Sequence, residues 1–168
     1  MNLYLVRHGD AARVGGAIRV DADRPLTADG ERDVTIVADA LARLDGQIGM
    51  IWTSPLKRAQ QTAQILAARL AGPPVVTPTA NLAPGFRPAD LLADIEASGA
   101  ATGLVLVGHQ PDLGGLLSAL VTDALYAAVS FPPGTVAMLT LPRAPAIQEA
   151  TLQWLLTPEA LRQITNQQ

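Results

Sequence analysis

The sequence predicts an α/β fold in three layers, with a mainly parallel central sheet and helices on both faces. Three observations carry this reading. Apolar runs without alternation recur, as in Leu3–Val6 and Leu104–Val107, the pattern of strands buried on both faces. Segments with apolar residues at helical spacing lie between the runs, and strands alternating with helices build parallel sheets covered on both sides. The chain has two histidines, and both His8 and His109 stand just after such a run. In open α/β sheets that place, outside the carboxyl end of a strand, is where ligands bind.

Composition sets the bounds. The 168 residues are expected to form one domain, 1–168, with a sizeable core. Apolar residues make up 49% of the chain and charged residues only 16%, below the usual share of about a quarter. That points to a well-buried fold and away from disorder. A net charge of −3 leaves no nucleic-acid footprint. Without cysteine there is no disulfide framework, Cys-based zinc site or thiol nucleophile. The chain opens on a strand pattern, not a signal peptide, and no apolar run reaches membrane-spanning length. A cytoplasmic location is expected, with no nucleic-acid or membrane partner.

Each element has its own signal. Residues 2–7 form the first strand, and Gly9 lets the backbone turn sharply after it. Residues 10–26 are a long connection with Gly15, Gly16 and Pro25, and loops of that length are usually functional or mobile. Thr27 caps a helix over 28–44, with Asp29 and Glu31 at its positive end and Val34, Val37 and Leu41 on its apolar face. Gly46 ends it. Ile48–Thr53 is the second strand, and Ser54-Pro55 reads as N-cap and first residue of the next helix. Val75-Val76 is a short third strand. Residues 78–88 are irregular, and a helix follows from about Ala89 to Ser98. Residues 103–108 are the fourth strand, and Pro111 opens the helix after it. Two more strands near Thr135–Leu141 and Glu149–Leu156 lead to a last helix capped by Thr157-Pro158. Trp52 and Trp154 read as core aromatics, Lys57, Arg13, Arg19 and Arg24 as surface charges.

Arg7 and His8 end the first strand, Arg58 lies in the first turn after the second, and His109 ends the fourth. If these strands are neighbours, four side chains meet at one edge of the sheet, beside helix starts that favour anions. Two arginines and two histidines suit a phosphoryl group, whose oxygens arginine grips in pairs.

Arg7-His8-Gly9, the stretch Ser54-Pro55-Leu56-Lys57-Arg58-Ala59-Gln60-Gln61-Thr62-Ala63 and Gly108-His109, in that order, resemble the histidine phosphatase superfamily of the phosphoglycerate mutase-like fold. Arg7-His8-Gly9-Asp10-Ala11, the helix start Arg24-Pro25-Leu26-Thr27 and the Pro111 helix after His109 are most similar to the small SixA-type phosphohistidine phosphatases. The resemblance implies a minimal member without a large lid insertion. It makes His8 the nucleophile that takes the phosphoryl group, with Arg7, Arg58 and His109 binding phosphate and stabilising charge in transfer. Gly9 and Asp10 are secondary substrate-binding candidates. The arginines disfavour protonation of His8, which keeps it nucleophilic near neutral pH. Water then hydrolyses the phosphohistidine, covalent catalysis in two steps that needs no metal or cofactor.

One departure matters. Many superfamily members carry an acid after the third strand that protonates the leaving oxygen, but Thr79–Phe86 contains none. Asp90 is the nearest acid, within the following helix, and Asp10 is the better candidate donor. An alkoxide needs a proton on departure, whereas a phosphohistidine ring protonated beforehand leaves as neutral imidazole. The expectation is therefore a phosphatase for phosphohistidine on a protein, such as a phosphotransfer domain. The alternatives are a phosphatase of small phosphorylated metabolites and a non-catalytic module that binds phosphorylated ligands.

Overall fold

The computed structural model describes residues 1–44, 47–99, 103–122, 129–142 and 149–165. The order is β1 (Asn2–Arg7), α1 (Ala28–Leu44), β2 (Ile48–Thr53), α2 (Lys57–Arg69), β3 (Val75–Pro78), α3 (Pro88–Ser98), β4 (Gly103–Gly108), α4 (Asp112–Val121), β5 (Val136–Thr140), β6 (Thr151–Leu156) and α5 (Pro158–Thr165). Gly46, expected to end α1, lies outside the described residues.

The six strands form one sheet in the order β3-β2-β4-β1-β5-β6. β3, β2, β4 and β1 run parallel, while β5 is antiparallel to β1 and to β6. The direction of β5 follows from where the chain re-enters the sheet. It returns to the carboxyl end of β1 first, where Arg7 N–H donates to Thr135 O at 3.0 Å and Gly134 N–H donates to the Arg7 and His8 carbonyls at 3.1 Å. From there β5 can only run back down beside β1. β3 extends two residues beyond Val76, because pairing with β2 continues to Thr53↔Pro78. Proline is tolerated on such an edge.

The apolar runs alternate between two cores. Leu3, Leu5, Leu104 and Leu106 face α3 and α4, packing with Leu91, Ile95, Leu113 and Leu116. Tyr4, Val6, Val105 and Val107 face α1 and α2, packing with Val34, Val37, Ala59 and Leu66. All six residues of β4 are buried. Each fully buried side chain of this size contributes about 1.5–3 kcal/mol. Trp52 and Trp154 are only partly buried, packed against opposite cores. Thr27 caps α1 as expected, its hydroxyl accepting from Gly30 N–H at 3.0 Å.

Two local readings are corrected. Gly9 is not among the left-handed glycines, so it is not needed for a sharp turn. Close approach requires it, since a Cβ there would lie 2.7 Å from Val34 Cγ2 and 2.8 Å from Gly30 O. Ser54 does not cap α2, which begins at Lys57 behind Leu56; its hydroxyl turns to His109 instead.

Gly30 is the counterpart of Gly9. A Cβ on Gly30 would meet the Asp10 carbonyl oxygen at 2.2 Å, and backbone on both sides leaves no flexible group to yield. Gly30→Ala is expected to destabilise the fold by about 1–3 kcal/mol, the range for overpacking, read as a lower urea midpoint at unchanged slope.

Candidate active site

β1, β4 and β2 are adjacent, so their carboxyl ends meet at one edge of the sheet. The ladder continues past them: His8 N–H donates to Gly108 O at 3.1 Å and Ser54 N–H to Val107 O at 2.9 Å. His8 and His109 are thereby set side by side, their ring centroids 5.0 Å apart. His8, Arg58 and His109 are all buried, and Arg7 is half-buried.

The hydrogen bonds fix the form of His8. Its Nδ1 lies 2.7 Å from the Gly9 carbonyl, which can only accept, so Nδ1 carries the hydrogen and Nε2 keeps its lone pair. Nε2 accepts from Arg58 Nε–H at 3.2 Å. Burial, more than charge, pushes the His8 imidazole down to about 4, with Arg58, Arg7 and Arg24 adding to it against the pull of the Gly9 carbonyl. The arginines were expected to keep this ring neutral, and they act second to desolvation.

His109 has the opposite arrangement. Its Nε2 is 2.7 Å from Ser54 Oγ, an oxygen that already accepts from Leu56 N–H at 3.3 Å. Among the described residues Nε2 is the acceptor bonded to the Ser54 hydroxyl, so giving the hydroxyl hydrogen to Nε2 satisfies both groups and leaves the ring hydrogen on Nδ1. Burial first, then the neighbouring His8 and Arg58, push His109 down to about 3. His109 Nδ1 and Arg7 Nε are buried without a hydrogen-bond partner. Unsatisfied buried donors are costly, and anionic oxygens are the acceptors that suit them. The remaining Arg7 grip is structural, Nη1 donating to Phe131 O at 2.8 Å. Desolvation lowers its pKa, against the pull of Asp10.

Helix α2 positions the wall. Thr62 Oγ1 donates to Arg58 O at 2.8 Å and accepts from Gly9 N–H at 3.2 Å. Gln61 Oε1 accepts from Leu26 N–H at 2.8 Å, tying the 10–26 connection to the same helix. Within that connection a short 3-10 turn, Asp21–Asp23, sits against Arg58. Arg58 Nη1 donates to Asp21 O at 2.8 Å and Nη2 to Asp21 Oδ2 at 2.9 Å.

The structure brings Arg7, His8, Arg58 and His109 together. Gly9 is beside them, with its N–H and carbonyl both engaged. Asp10 is turned away: its carboxylate accepts from Thr27 Oγ1 at 2.9 Å and lines a separate recess with Asp33, Pro133 and Arg162. Asp90 is exposed and paired with Arg87. Arg24, read as a surface charge, donates to Asp21 Oδ1 at 2.8 Å and to the Ala11 and Ala12 carbonyls. Asp21 and Ser54 were missed as site residues. Ser54 carried a signal, lying at the end of β2 where a side chain can turn either to the helix or to the site.

Fold and pocket together define an α/β phosphatase. The model of the histidine phosphatase superfamily (branch 1) matches residues 3–81, which include Arg7, His8 and Arg58. The chain belongs to this superfamily. An uncharacterized protein of Picosynechococcus sp. (strain ATCC 27264 / PCC 7002 / PR-6) is 49% identical over 117 residues, 68% of this chain and 69% of that one. A probable phosphoglycerate mutase GpmB of Yersinia enterocolitica is 44% identical over 68 residues, 40% of this chain and 31% of that one. The solved protein histidine phosphatase SixA complexed with tungstate is 26% identical, with a TM-score of 0.84 over 96% of this chain and 99% of that one. No described helix is long and apolar enough to cross a membrane.

The buried neutral imidazoles make stability depend on pH. In the unfolded chain both take up protons near pH ~6.5, but in the fold only near about 4 and about 3. The unfolded state therefore binds more protons in that window. Their contribution is complete above pH ~6.5 and is lost as pH falls toward the folded values. Thermal unfolding should show a midpoint that declines on acidification below pH ~6.5, and less steeply in His109→Gln. A flat midpoint with the same slope in both proteins would contradict the assignment.

Proposed function

We propose that this chain removes phosphoryl groups from phosphohistidine on a protein, through a phosphohistidine formed on His8. The observation that carries the reading is the unprotonated Nε2 of His8 facing Arg58 Nε at 3.2 Å. A nucleophile's lone pair and the donor that will hold a phosphoryl oxygen are thus in place before substrate arrives.

His8 Nε2 attacks phosphorus in line with the leaving group. The N–P bond forms as the bond to the leaving group breaks, and the electron pair departs with that group. Arg7, Arg58 and the Nδ1–H of His109 stabilise charge on the equatorial oxygens. Water then attacks phosphorus, the bond to His8 breaks, its electrons return to Nε2, and phosphate is released with the proton passing to solvent.

Two features support a phosphorylated side chain as substrate. Among the described residues no carboxylic acid is hydrogen-bonded to His8 or His109, so the pocket favours a leaving group that needs no proton. The 79–87 segment also folds back on the body of the protein, burying Leu82 and donating Gly85 N–H to Asp112 Oδ2 at 3.0 Å, and so forms no large lid insertion. The SixA it resembles across its length is a protein histidine phosphatase. A small phosphoester is the second reading, favoured by the identity to GpmB over 68 residues.

Single-turnover release from a phosphohistidine-bearing phosphotransfer domain, compared with an alkyl phosphate at equal enzyme excess, separates the two. Fast release from the domain and almost none from the ester is expected. Faster ester hydrolysis would transfer the assignment to small metabolites. His8→Ala should abolish turnover of both substrates. Arg58→Lys should lower the chemical rate about 10²–10³-fold, because lysine cannot reproduce the planar fork.

A further inference from the structure

Arg58 is a buried cation whose hydrogen bonds divide between two edges. Its Nη1 and Nη2 are taken by the carbonyl and carboxylate of Asp21, and its Nε points at His8 Nε2. Asp21 thus holds the far end of the fork, and the near edge is left to meet a phosphoryl group on His8. Arg24 braces this arrangement from the other side through Asp21 Oδ1. Among the described residues, Asp21 is the only carboxylate hydrogen-bonded to Arg7 or Arg58. Its side chain is 55% exposed while that of Arg58 is 6% exposed, so the carboxylate stands on the solvent side of the buried guanidinium.

We propose that Asp21 is a positioning and specificity-determining residue: it aims Arg58 at the phosphoryl site and biases the pocket toward N-phosphorylated imidazole over phosphate esters. The bias rests on the phosphohistidine reading given above. Its physical basis is the sign of charge on the leaving group. An ester oxygen gains negative charge as its bond to phosphorus breaks, which a neighbouring carboxylate opposes. An imidazole phosphorylated on one nitrogen and protonated on the other carries positive charge, which the carboxylate favours. When its N–P bond breaks, the electron pair stays on that nitrogen and the ring leaves as neutral imidazole, retaining its proton. No further donor is consumed. Asp21 suits this part because its hydrogen bond to Arg24, and then that to Arg58, holds its carboxyl below the ordinary range, so it stays ionised and does not itself serve as the acid.

Asp21→Asn separates charge from position. The amide oxygen can still accept from Nη2, and the backbone carbonyl is unchanged, but the negative charge is gone. The readouts are kcat/KM for phosphoimidazole and for a series of aryl phosphates of graded leaving-group pKa, with wild type, Asp21→Asn and Asp21→Ala compared. Asp21→Asn should lower the ratio of phosphoimidazole to aryl phosphate turnover about tenfold and flatten the dependence on leaving-group pKa. Asp21→Ala should further lower kcat for every substrate as Arg58 loses its brace. An unchanged ratio in Asp21→Asn, with wild type preferring phosphoimidazole, would overturn the bias and leave the phosphohistidine reading standing. A wild type that takes aryl esters and ignores phosphoimidazole would instead overturn that reading. The aryl series still decides Asp21 in that case, a flattened slope upholding its effect on the leaving group and an unchanged slope ending it.

Discussion

The parallel pairing of β1 with β4 is the constraint on which the site depends. The register runs from Leu3↔Leu104 to Arg7↔Gly108, and nothing in it can slip without moving every side chain to the wrong face. Both strands are buried on both sides, so each residue is committed to one core or the other. The next residue on each strand is a histidine, and the register alone sets the two imidazoles side by side. β2 then adds Ser54 from the opposite flank of β4. The geometry of the candidate site is thus a by-product of leucines and valines packing well away from it.

Burial at that edge has an electrostatic consequence. Arg58 is only 5% exposed, and a buried guanidinium must have its donors satisfied or it destabilises the fold. Its three nitrogens find His8, the Asp21 carbonyl and the Asp21 carboxylate. The same dehydration makes both imidazoles poor bases. A histidine with an ordinary pKa would be partly protonated near neutrality and lose its lone pair. Here desolvation preserves the lone pair of His8, and the glycine pair Gly9 and Gly30 helps by letting the loop after β1 settle close against α1.

Most strand boundaries were legible because buried parallel strands have no polar alternation to blur them, and β2 and β4 begin and end where their apolar runs do. The four site residues were legible because each closes a strand or opens the helix behind one. Strand order was not, since only contacts distant in sequence decide that β4 lies between β1 and β2. The direction of β5 depends on the backbone bonds of Gly134 and Thr135 to the end of β1, which no local pattern records. Asp21 was invisible for a related reason. It sits in an irregular connection, three residues before Arg24 with which it pairs as any surface ion pair would. Its second partner, Arg58, is brought to it only by the fold.

The charges gathered here match a phosphoryl group without help from either imidazole. Among the described residues, Asp21 is the one carboxylate hydrogen-bonded to the set Arg7, Arg58 and Arg24, which leaves two positive charges, the complement of a dianionic phosphate. Protonating His109 would add a third charge but gain little, since its Nδ1–H is a donor in the neutral ring already. Protonating His8 would remove its Nε2 lone pair. Fixed guanidiniums therefore supply the charge, and neutral imidazoles supply one lone pair and one hydrogen bond. Such a division suits the proposed transfer to His8, whose transition state spreads charge over the equatorial oxygens, because none of these groups would have to change its protonation state as phosphorus moved.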